Sequence, residues 1–160
     1  MKIGHLIVLA FFCFAFVSCG DRKERVRQNF LNAETVENTQ LEAVKVCELG
    51  LEGIPIFIEA IKKNIHSQDS LLGYGKLLIS IRQLHMMAKK GVHSEKSVPV
   101  LLKVLKSQRS ISDSLITAEA IRIITGLDVG YDEEFVRSYK LSDEPSRLEM
   151  ISKWEDYIKK

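Results

Sequence analysis

Nine consecutive residues, Ile54-Pro55-Ile56-Phe57-Ile58-Glu59-Ala60-Ile61-Lys62, align without a gap on Val98-Pro99-Val100-Leu101-Leu102-Lys103-Val104-Leu105-Lys106, an offset of 44. At the same offset Asp69-Ser70-Leu71-Leu72 falls on Asp113-Ser114-Leu115-Ile116, and Leu77 falls on Ile121. A chain that repeats at a fixed period builds each copy as one supersecondary unit and buries it against the next. In both copies the proline suits a first helical turn, where a missing N–H costs nothing. Ile54, Phe57, Ile58, Ile61 and Ile65 then form one apolar stripe at i, i+3, i+4, i+7 and i+11, and Val98, Leu101, Leu102 and Leu105 repeat it. Asp69 and Asp113, or the serine after each, are expected to cap second helices carrying Leu71, Leu72, Leu78, Ile81 and Leu84 in one copy and Leu115, Ile116, Ile121 and Ile124 in the other. Each unit therefore reads as a helical hairpin.

A two-helix period of this length is the spacing of HEAT and armadillo repeats, and the Gly-Ile-Pro-x-x-Ile-x-Ala-Ile pattern of Gly53–Ile61 resembles the first helix of a HEAT unit. The stretch Ile124-Thr125-Gly126-Leu127-Asp128-Val129-Gly130-Tyr131-Asp132, with Trp154 downstream, is similar to the Thr-Gly-x-Asp-x-Gly-Tyr-Asp segment of many bacterial HEAT-like proteins. The resemblance implies an all-α fold, a short α-solenoid of HEAT-like hairpins spanning 34–160. A helix near Glu34–Leu49, with Val36, Ala43, Val44 and Cys47 inward, would be the second helix of a truncated leading unit. Gly126 suits the left-handed position past a helix end, Gly130 a tight turn, and Asp132 a cap with Glu133 and Glu134 in its first turn. Asp128, Asp132 and Glu133 lack the ligand ladder of an EF-hand, so metal is not expected. A last helix near Glu144–Tyr157, with Leu148, Ile151, Trp154 and Ile158 on one stripe, would cap the stack.

The N-terminus carries Lys2, an apolar run from Leu6 to Val17, and then Ser18-Cys19-Gly20 before a charged cluster. The run has signal-peptide length and falls short of the roughly 20 residues of a membrane span. Phe16-Val17-Ser18-Cys19 resembles a bacterial lipobox, with Phe16 departing from the usual aliphatic residue. That resemblance implies cleavage after residue 18 and a lipid on Cys19, attaching the protein to the membrane of the bacterial cell envelope, at the outer membrane or its periplasmic face. Simple secretion and an uncleaved anchor are the alternatives. Residues 19–33 are expected to be a polar tether or frayed helix. With Cys13 in the signal and Cys19 modified, Cys47 has no disulfide partner, and its apolar neighbours place it in the core rather than as a reactive thiol.

No motif for a metal, a phosphate loop, a redox pair or a nucleophile elbow occurs, so no catalytic residue, metal ligand or cofactor is assigned. His85 follows an apolar stripe and reads as a partly buried core edge. The net charge of +2 provides no global field for nucleic acid, and the aromatics form no stacking platform. Between Lys89 and Arg109 there are six bases and one acid. This segment is either a solvated face or a docking surface for an acidic partner, and Lys103, Lys106 and Arg109 are the candidate partner-binding residues. The function expected is a monomeric, non-catalytic protein-binding adaptor that uses a concave surface lined by second helices. An inhibitor or immunity protein capturing a toxic enzyme one-to-one is the alternative.

Overall fold

The computed structural model describes residues 20–67, 70–107, 110–129 and 144–159, and every regular element among them is helical. The expected signal region 1–18, Cys19, Asp69, Arg109 and the expected corner from Gly130 to Glu134 lie outside the described residues. Helix α1 spans 20–31. It is followed by α2 (Val36–Glu48), α3 (Ile54–Asn64), α4 (Leu71–Lys89), α5 (Val98–Lys106), α6 (Ile111–Thr125) and α7 (Glu144–Ile158). Short 3₁₀ turns at Gly50–Gly53 and Glu95–Ser97 lead into α3 and α5.

Local chemistry sets these boundaries. Pro55 and Pro99 stand in the first turns of α3 and α5. Gly53 lies so close to α2 that a Cβ there would come within 2.2 Å of the Val46 carbonyl oxygen. Thr35 accepts from the Asn38 N–H at 3.1 Å and Ser70 from the Gly73 N–H at 3.1 Å, capping α2 and α4. Gly126, at φ 68°, ends α6 in the left-handed conformation expected of it. The cap of α6 departs from expectation. It is Ser110, accepting from the Asp113 N–H at 3.3 Å, while Asp113 sits in the first turn. The link from α5 to α6 is shorter than that from α3 to α4, so α6 starts one turn early. A one-turn slip preserves the buried face, and Leu77 and Ile121 are both fully buried.

Packing joins the helices in order. α3 lies on α4 and α5 on α6, α2 and α6 flank α4, and α3 touches α5, which touches α7. The stripes of α3 and α5 are buried as expected, with Phe57, Ile61, Leu101 and Leu105 wholly enclosed and Ile58 half-buried. Four apolar residues expected inward are exposed, for reasons of helical geometry. Leu71 lies about 200° around α4 from the buried Gly73 and is 82% exposed. Val44 faces outward from α2, whose buried side is Thr39, Ala43 and Val46. On α7 the inward edge runs through Arg147, Met150, Ile151 and Trp154, leaving Leu148 and Ile158 exposed on its margins.

The stretch 21–33, expected as a tether or frayed helix, is folded into the core instead. Phe30 is fully buried and meets Phe57 edge to face, with ring centroids 5.4 Å apart. The Arg27 guanidinium donates to both oxygens of Glu59, at 2.8 and 2.7 Å, tying α1 to α3. The Lys76 ammonium of α4 is buried and donates to the Leu31 carbonyl at 2.8 Å, where the negative end of the α1 dipole accepts a cation. Burial lowers the Lys76 amine pKa, and nearby Lys63 adds to that shift. At the opposite end Arg22 meets Glu48 at 3.5 Å. α1 is thus packed on α3 and α4, so the chain ahead of Val36 belongs to the helical core.

Removing the Phe30 ring leaves a cavity between α1 and α3, so Phe30→Ala is expected to cost about 3–5 kcal/mol in urea unfolding. Arg25→Ala, on the exposed side of the same helix, is expected to stay within about 0.5 kcal/mol of the native chain. Equal midpoints for the native and Phe30→Ala chains would show that α1 lies outside the cooperative unit.

Candidate functional site

Helix α5 buries Val98, Leu101, Leu102 and Leu105 and turns Pro99, Lys103 and Lys106 outward at i, i+4 and i+7. Across from them α7 presents Glu155 and Ile158, followed by Lys159. Together these residues line a groove of about 480 Å³. Two of the three residues singled out from the sequence, Lys103 and Lys106, therefore share one wall. Their states differ. Lys106 Nζ lies 2.5 Å from Glu155 Oε1 and is already paired, whereas Lys103 is exposed and has no ion-pair or hydrogen-bond partner among the described residues. An exposed pair such as Lys106–Glu155 contributes about 0.2–1 kcal/mol and exchanges readily with a competing carboxylate. The groove offers cationic charge beside apolar surface and no hydroxyl, thiol or imidazole. It runs along a first helix and α7, not along the second helices where a concave binding surface was expected.

The basic segment is continuous in sequence but dispersed in space. Lys89 reaches from α4 to Glu119 of α6 at 3.2 Å, Lys96 stands in the Glu95–Ser97 turn, and Lys103 and Lys106 belong to α5. Only part of the local charge therefore faces any one partner.

The second helices are fastened by polar contacts that the sequence did not single out. His85 Nε2, with its side chain mostly buried, lies 3.1 Å from Glu119 Oε2, joining Lys89 around the same carboxylate. Tyr74 donates to Asp113 at 2.5 Å between α4 and α6, and Cys47 donates from α2 to Gln83 of α4 at 3.3 Å. Cys47 is half-buried rather than enclosed, and burial pushes its thiol pKa up while Lys90 opposes the shift. The i, i+4 spacing of His85 and Lys89 places both on one side of α4, but only tertiary packing brings Glu119 to them. Among the described residues no group of three or more His, Cys, Asp or Glu side chains converges as a metal site, and no helix is long and apolar enough to cross a membrane. No protein-family model matches the chain, and neither a curated protein nor a solved structure matches it.

Burial raises the Glu119 carboxyl, but Lys89 and His85 together outweigh that effect and hold it below the ordinary value of 4.5. The hydrogen-bonded Arg27 guanidinium likewise lowers Glu59, against burial and with help from Lys63. A carboxylate depressed in the folded state stabilises it fully above the unfolded value, and that stabilisation is lost as pH falls through the folded value. Glu119→Gln is therefore expected to lower stability at neutral pH and to converge with the native chain in acid. Urea midpoints measured from pH 7 down to pH 3 check this, and a constant gap across the range would contradict it.

Proposed function

We propose that this chain is a bacterial envelope lipoprotein, held by a lipid on Cys19, whose short HEAT-like α-solenoid binds another protein without catalysis. The observation that supports the adaptor reading is the succession of packed helices, with α3 on α4, α5 on α6, α2 and α6 flanking α4, and α7 against α5. Stacked hairpins of this kind present extended faces made from several units, which suits them to protein contact. The groove between α5 and α7 supplies the contact chemistry. Lys103 is an uncommitted cation beside apolar Leu102 and Ile158, matching an acidic segment with at least one apolar side chain. The protein acts as a monomer, needs no cofactor or metal, and works at the outer membrane or its periplasmic face.

Two measurements test the two halves of this reading. Intact-mass analysis of the full chain expressed in a bacterium is expected to show loss of residues 1–18 and acylation of Cys19, with Cys19→Ala remaining unacylated and leaving the detergent phase. An unmodified Cys19 in the native chain would remove the anchor. For the adaptor, crosslinked partners are expected to drop severalfold in Lys103→Glu while its helical circular dichroism stays native, because a rim charge sets encounter rather than fold. An unchanged partner profile would place the contact elsewhere on the protein.

A further inference from the structure

A second groove lies beside the start of the described chain. The Gly50–Gly53 turn and α3 form one wall, and the residues around the Glu95–Ser97 turn form the other, enclosing about 670 Å³. Leu51, Pro55 and Ile58 make its apolar surface, and Lys62, His93 and Lys96 make its basic rim. Leu51 is 63% exposed, and the Lys62 and Lys96 amines have no carboxylate partner among the described residues. The acid at its edge, Glu59, is taken up by Arg27 and by Lys63 at 2.9 Å. The groove thus combines exposed apolar surface with uncommitted positive charge, the pattern that an anionic amphiphile complements.

Its position relative to α1 narrows the occupant. Lys23 of α1 meets Glu52, the neighbour of Leu51, at 3.5 Å, and one turn later Arg27 grips Glu59. α1 therefore runs alongside this wall of the groove with its first residues at the Leu51 end. Gly20 is about 4.5 Å along the helix axis from Lys23 and is bonded to Cys19. Because Phe30 and Arg27 lock α1 to α3, no loose linker separates residue 20 from the fold. We infer that this groove rests on the membrane that anchors the chain and takes anionic phospholipid, with Leu51 entering the acyl interface and Lys62 and Lys96 meeting phosphate. The inference rests on the lipid-anchor reading of Cys19 for its geometry. It makes the domain a body seated on the bilayer and not one swinging from it. Charge on the rim screens with salt, so the contact is strongest at low ionic strength.

The test uses the full-length chain carrying Leu51→Trp, with vesicles of brominated phosphatidylcholine alone or mixed with brominated phosphatidylglycerol. Trp154 is wholly buried, so the native chain provides a constant background. The introduced indole is expected to shift to the blue and lose emission with the anionic vesicles, to respond far less to phosphatidylcholine alone, and to lose its response when Lys62→Glu and Lys96→Glu are added. Helical circular dichroism verifies that each variant is folded. Flotation and the mass of Cys19 in the same samples read the anchor separately. Quenching by anionic vesicles supports the groove whether or not Cys19 is acylated. An acylated, floating chain with an unquenched indole overturns the groove alone, leaving its basic rim to an acidic protein. A chain that neither floats nor quenches overturns both readings.

Discussion

A lone helical hairpin leaves one apolar stripe facing water, and every unit of this protein depends on a neighbour to cover it. The stripe of α3 meets α4 and the ring of Phe30 from α1, and the stripe of α5 meets α6 and α7. Burial is the dominant favourable term at each contact, at about 25 cal/mol for each Å² of apolar surface removed from water. That dependence explains why α1 belongs to the folded unit. Without it Phe57 and the outer side of α3 lose their covering on that flank.

Apolar burial is non-directional, so polar contacts have to set how the helices sit. Helix α4 collects most of them. It reaches α1 through Lys76, α2 through the bond between Cys47 and Gln83, and α6 through Tyr74–Asp113 and the His85, Lys89 and Glu119 cluster. Lys76 and Asp113 are buried and His85 is mostly so, and for such groups a mismatched partner costs more than a good one gains. A register shift along α4 would leave several of these groups unpaired at once. Close approach adds a steric limit, since Gly53 admits the Val46 carbonyl only because it has no side chain.

The surface follows a different logic from the core. The basic run from Lys89 to Arg109 looks like one patch on paper, yet the fold places Lys89 on α4, Lys96 in a turn and Lys103 and Lys106 on α5, and Glu119 and Glu155 neutralise two of them. Among the described residues, Lys103 on one groove and Lys62 and Lys96 on another remain uncommitted. Lys62 lies far from the basic run in sequence and joins Lys96 only through packing. A linear charge count therefore carries information about solubility, while the position of a binding surface depends on which acids the fold brings close.

Much of the local structure was legible in the chain because helical periodicity, proline placement and glycine stops act within a few residues. The stripes of α3 and α5, the helical content, the left-handed Gly126 and approximate helix limits all follow from those short-range rules. Those rules suffice to say that helices form, where two of them repeat, and which face of each repeat is apolar. Tertiary structure alone decided that 20–31 joins the core and that Lys106 is paired while Lys103 is not. The division has a physical cause. Backbone preference and periodicity are local properties, whereas burial and charge pairing depend on what arrives from 20 or more residues away, as with Arg27 and Glu59 or Lys106 and Glu155.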